Sequence, residues 1–171
     1  DFTLAANSPC APERSPCGEL IGAYPVGCAE VPSFIWVPNG APGDTGQVLV
    51  LHPSGEYMDD FTVGQDLRAI ATESDGDVWL SSYGSEDLVR MSPEGFVEVT
   101  EPVAGAPTAL TLDREEHVWA VVPSLDVVVK MEPDGTLVGS YPVDDQPIDL
   151  VVDQAGHVWV LNAGSHNVTC L

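Results

Sequence analysis

The sequence predicts an all-β chain built from repeated four-stranded antiparallel sheets, and three observations carry that expectation. Four tryptophans stand at one position of a recurring phrase, in Phe34-Ile35-Trp36-Val37, Asp77-Val78-Trp79-Leu80, His117-Val118-Trp119-Ala120 and His157-Val158-Trp159-Val160, at spacings of 43, 40 and 40 residues. A Pro-x-Gly turn recurs as Pro53-Ser54-Gly55, Pro93-Glu94-Gly95 and Pro133-Asp134-Gly135; proline presets one backbone angle and glycine accepts the positive one. Apolar runs of strand length flank both features. A period near 40 made of short β-type runs is the pattern of β-propeller blades, about four of them in 171 residues.

Each repeat resolves into strands in order. Before the Pro-x-Gly turn run Gln47 to Leu51, Asp87 to Met91 and Asp126 to Met131, and after it come segments ending at Val63, Val103 and Val143, a hairpin in triplicate. Next follow apolar runs from Leu67 to Ala71, Thr108 to Leu112 and Ile148 to Val152, whose near-continuous apolar character suits inner strands packed between neighbouring blades. A turn and the tryptophan strand complete the unit. Trp36, Trp79, Trp119 and Trp159 are structural repeat positions, each placing a large rigid side chain in the layer between blades.

The first and last segments carry complementary pieces of one blade. Gly18-Glu19-Leu20-Ile21-Gly22-Ala23-Tyr24-Pro25-Val26 matches Gly135 to Val143, so the repeats read from residue 18 as an outer strand, behind a cysteine-containing segment of residues 1–17. Ser165 to Leu171 matches Ser124 to Lys130 and leaves the last blade with three strands. An open strand edge invites pairing, so the two segments are expected to complete one blade, within a chain or by exchange between chains. The first blade is irregular: 10 residues separate Val26 from Trp36, against 16 from Val63 to Trp79, which shortens or removes its innermost strand.

Cys10, Cys17, Cys28 and Cys170 are even in number and lack zinc-site spacing, so disulfides are expected, with three pairings open. Cys170 joined to an N-terminal cysteine would lock the blade seam. The beginning at Asp1, with no apolar leader, suits a mature exported protein or a processed fragment, and a secreted, periplasmic or cell-surface location is expected. No run reaches the length of a membrane span. A formal charge of −22 repels nucleic-acid phosphates and excludes that class of partner. The acids are spread along the chain as a solvated shell.

The phrase Asp153-Gln154-Ala155-Gly156-His157-Val158-Trp159-Val160-Leu161-Asn162, with Pro147-Ile148-Asp149 before it, resembles the repeats of the streptogramin (virginiamycin B) lyase-like and NHL-type propellers over residues 18–171. That resemblance implies the propeller fold; its members include hydrolases, lyases and modules that only bind. In the lyases it implies histidines after the proline that opens an inner strand, with a carboxylate and magnesium. Here Thr108 follows Pro107 and Ile148 follows Pro147, and neither side chain can act as a base.

No catalytic residue is therefore assigned. His117 and His157 share one repeat position with Asp77, which points to strand-edge structure. Asp66, Asp144 and Asp149 lie near the starts of inner strands and are the candidate ligands of a calcium ion, the only cofactor the sequence suggests. Asn167-Val168-Thr169 fits both a glycosylation sequon and a seam strand. The leading expectation is a secreted or surface propeller that binds a protein or glycan without catalysis. A metal-dependent lyase or hydrolase is the alternative, and a subunit forming a homo-oligomer or filament by terminal-strand exchange is a third.

Overall fold

The structure is a computed structural model, and residues 34–171 of it are described. Fourteen strands fill this range in four antiparallel sheets. The first sheet holds β1 (Ile35–Asn39), β2 (Thr45–Leu51) and β3 (Tyr57–Gln65). The second holds β4 (Leu67–Thr72), β5 (Val78–Ser82), β6 (Asp87–Met91) and β7 (Val97–Pro102). The third holds β8 (Ala109–Leu112), β9 (Val118–Val122), β10 (Val127–Met131) and β11 (Leu137–Pro142), with a single 3-10 turn at Pro123–Leu125. The fourth holds β12 (Pro147–Val152), β13 (Val158–Asn162) and β14 (Asn167–Cys170). Each sheet is a meander in chain order, as the triplicate hairpins and the tryptophan strands predict.

The sheets stack through their faces. β1 lies beside β4, β4 beside β8, and β8 beside β12. Between the first two blades Trp36, Val48 and Val50 pack on Val78, Leu80, Val89 and Met91. Trp79 and Leu88 then meet Val118, Ala120, Val129 and Met131, and Trp119, Val121 and Val128 meet Leu150, Val158 and Val160. The two central tryptophan strands, β5 and β9, are buried along their whole length because a blade covers each face. The near-continuous apolar sequence of Val118 to Val122 follows from that double burial.

The Pro-x-Gly turns do more than reverse the chain. Gly95 and Gly135 have φ of 86° and 88°, and a Cβ on either would stand 2.2 Å from the Phe61 ring or 2.5 Å from Val99 Cγ1. Each turn therefore leans on the outer strand of the preceding blade, and only glycine satisfies both the angle and the contact.

Two details depart from the sequence reading. β3 runs two residues past Val63, to Gln65, and its last N–H is held by Ser82 Oγ at 2.7 Å. Val103 and Val143 instead stand just outside their strands, donating at 2.9 Å to the carbonyls of Glu86 and Asp126. Among the described residues the first sheet lacks an inner strand, and β1 occupies the place beside β4. The expected outer strand at residues 18–26, the segment 1–17 and Cys10, Cys17 and Cys28 lie outside the described residues. No helix among the described residues is long and apolar enough to cross a membrane.

Candidate functional site

The side chains richest in chemistry lie in the turns between each inner strand and the tryptophan strand. The turns close by backbone bonds from Gly76 to Glu73, Glu116 to Asp113 and Gly156 to Asp153, with φ positive at all three donors. This conformation brings the carboxylate six residues before the tryptophan under its indole. Trp79 Nε1 donates to Glu73 Oε1 at 2.8 Å, Trp119 Nε1 to Asp113 Oδ2 at 3.0 Å, and Trp159 Nε1 to Asp153 Oδ2 at 3.0 Å. A buried indole N–H needs such an acceptor. His117 Nδ1 and His157 Nδ1 stand 2.9 and 3.0 Å from the same carboxylates, so both histidines belong to the clasp, the strand-edge role their shared repeat position implies. In the sequence the only mark of these carboxylates as a set is their fixed six-residue spacing before the tryptophan. Glu30 stands at that spacing before Trp36 and lies outside the described residues.

Basic residues on the third strand of two blades neutralise the clasps. Arg90 is paired with Trp79 across the sheet, and Lys130 with Trp119. The Arg90 guanidinium contacts Glu73, lies 2.8 Å from Asp77 and 3.4 Å from Asp75, and reaches Glu98 at 2.5 Å. Burial pushes the Asp77 carboxyl up to about 6 against the pull of Arg90. Lys130 Nζ sits 4.8 Å from the centre of the Trp119 ring and 3.7 Å from Asp113. Burial raises the Asp113 carboxyl, but hydrogen bonds from Trp119 and His117 outweigh it and hold the group below its ordinary value.

Two groups among the described residues place three ligand-type atoms within 4.8 Å of one another, Glu73 with Asp75 and Asp77, and Asp113 with Glu115 and His117. Arg90 occupies the first with a guanidinium, and Trp119 and Lys130 engage the second. Each cluster is already partnered by the blade that carries it.

Asp66, Asp144 and Asp149 belong to neither group. Asp66 is 3% exposed, has φ of 50° and binds Arg68 at 2.8 Å through Oδ2, while its buried Oδ1 has no hydrogen-bond partner. Thr108 Oγ1, at the opening of the next inner strand, is also buried and unpartnered. Asp144 accepts from Asn167 Nδ2 at 2.7 Å and Thr169 Oγ1 at 3.4 Å, tying the sequon residues to the preceding loop. Asp149 accepts the Leu150 N–H at 2.9 Å on the outward face of β12. Ile148 is exposed, and Cys170 is exposed on β14.

No known protein family matches the chain, and no curated protein is similar to it in sequence. Solved structures do share its fold. A streptogramin B lyase superposes with a TM-score of 0.61 at 15% identity, covering 79% of this chain and 53% of its own. A catalytically inactive virginiamycin B lyase from Staphylococcus aureus, with quinupristin, gives 0.60 at 12% identity over 84% of this chain and 57% of that one. Kuenenia stuttgartiensis hydrazine synthase gives 0.65 at 13% identity over 72% and 38%. The chain spans about half the length of the lyases it matches. Its architecture is that of the β-propeller, with four blade sheets.

Proposed function

We propose that the chain is a non-catalytic propeller module, secreted or displayed at a cell surface, that presents its loops to a protein or glycan partner. The observation that carries this reading is the engagement of the acid–base groups. Glu73, Asp113 and Asp153 each hold a tryptophan, and His117 and His157 are bound to two of those same carboxylates. A general acid or base needs a free position toward substrate, whereas these carboxylates are committed to an indole of their own blade and two of them also to a histidine. The inner strands open with Leu67, Pro107-Thr108 and Pro147-Ile148, which offer no base. Four cysteines support an oxidising compartment. The test is turnover: the chain is incubated with quinupristin and magnesium, and the ring-opened product is sought by mass spectrometry. No product above the protein-free control is expected, and saturable ring opening overturns the reading.

One observation favours a second reading, a metal-dependent lyase or hydrolase. The unpartnered Asp66 Oδ1 and Thr108 Oγ1 lie at the openings of adjacent inner strands, where a ligand would satisfy them. In that reading Asp66 helps hold calcium or magnesium, and Asp66→Asn abolishes both metal-induced thermal stabilisation and turnover. Absence of any thermal shift with either ion removes it.

A further inference from the structure

The fourth blade repeats the residues that the other blades bury, yet leaves them uncovered. Trp79 and Trp119 are 0% and 8% exposed, whereas Trp159, forty residues further on, is 40% exposed. Val121 and Val128 are fully buried, and their counterparts Leu161 and Val168 are 45% and 54% exposed. Strand register puts Val151 on the same face beside Trp159, and Val168 beside Leu161. β13 accordingly alternates buried and exposed along its length, where β5 and β9 are buried throughout. Among the described residues no further sheet lies against this interblade face.

The surface that fits it is present at the other end of the stack. Each covered tryptophan face meets the cross-strand pairs that flank the next blade's tryptophan, Val78 with Met91 and Leu80 with Val89 in the second blade. The corresponding pairs of the first blade are Ile35 with Leu51 and Val37 with Leu49. Ile35 is 44% exposed and the other three are half-buried. Among the described strands β1 packs against β4, and β12 against β8 and β9. The solved propellers match the chain over 53 to 57% of their own length; an arc of this extent leaves room in a ring for a second one.

We propose that the outward face of β12 to β14 docks a second copy of this chain, which seats the Ile35–Leu51 face of its β1–β2 hairpin there in head-to-tail order. The junction reproduces the contacts between consecutive blades inside the chain. Beside this face the edge strand β14 pairs only with β13 among the described residues. The contact is heterologous, with different patches on the two copies. Each copy carries a formal charge of −22, so the pair repels at long range and tightens as salt screens that repulsion.

The experiment is sedimentation velocity on the full 171-residue chain, 18.1 kDa, over rising concentration in low and high salt. A mass of two copies or more is expected, favoured by salt. Leu161→Asp and Ile35→Asp, both at exposed positions, should each return single copies with the circular dichroism of the parent. Val168→Ser serves if Leu161→Asp loses its strand signal. Mixing Leu161→Asp with Ile35→Asp should restore a pair, because one intact junction remains. A single-copy mass under all conditions overturns the proposal. So does an oligomer indifferent to both substitutions, or one sensitive to Leu161→Asp alone, which would mean that the fourth blades pack on each other. The readout is mass, so it stands or falls separately from any turnover of quinupristin.

Discussion

Replacing Asp77 with Asn should stabilise the protein at neutral and alkaline pH and leave it unchanged in acid. Asp77 is 9% exposed beside Glu73, Asp75 and Glu98, with Arg90 as their shared cation. Burial raises its carboxyl from 3.8 to about 6, which Arg90 only partly offsets. At about 1.4 kcal/mol per pH unit, ionising Asp77 in the fold costs about 3 kcal/mol relative to the unfolded chain. The folded state then binds more protons than the unfolded one between about pH 4 and 6. Stability of the parent therefore falls as pH rises through that window, and the cost is fully present above it. Asn cannot ionise and escapes this cost, in which the pull of Arg90 is already included, so a net gain of up to about 3 kcal/mol is expected at about pH 8. Urea unfolding followed by tryptophan fluorescence at about pH 4 and about pH 8 measures it. A variant less stable than the parent at the higher pH, or an equal difference at both, refutes the reasoning.

Three further outcomes follow from the same clasps and turns. Arg90→Met leaves Glu73, whose side chain is 1% exposed, without its cation; a loss of about 3 to 5 kcal/mol is expected in chemical unfolding at neutral pH. Asp113→Ala strips the acceptor from Trp119 and should cost about 1 to 3 kcal/mol, more than Asp153→Ala, because Trp119 is 8% and Trp159 40% exposed; thermal melts of the two variants compare them. Gly95→Ala meets both a positive φ and the Phe61 ring, whereas Gly55→Ala has a φ of 86° and open space. The first should lower the melting temperature distinctly more than the second, whose penalty is about 1 kcal/mol of backbone strain.

Strands and turns were legible because their signals are local. Trp79, Trp119 and Trp159 recur at 40 residues, and the glycines of Pro93-Glu94-Gly95 and Pro133-Asp134-Gly135 report backbone angles that other residues avoid. The chemistry of the acids was harder to read. Glu73, Asp113 and Asp153 resemble any solvated turn acid until the positive φ of Gly76, Glu116 and Gly156 folds each back to an indole six residues on. Asp66 reads as a loop carboxylate, yet it is buried beside Arg68 because the β3–β4 bend is packed beneath neighbouring loops, with Tyr83 N–H donating to its carbonyl at 3.1 Å. Trp119 and Trp159 have near-identical local sequence and differ in exposure by a factor of about five. Burial of a repeat residue is decided by the blade next to it, which lies outside its own repeat.

Hydroxyl-radical footprinting of the tryptophans, at a dilution where the chain is a single copy, tests the exposure of the fourth-blade face most directly. Trp159 should be modified well ahead of Trp36, Trp79 and Trp119, in keeping with exposures of 40% against 9%, 0% and 8%. Protection of Trp159 equal to that of the other three, in a single-copy sample, would show the fourth blade covered within its own chain and contradict the account.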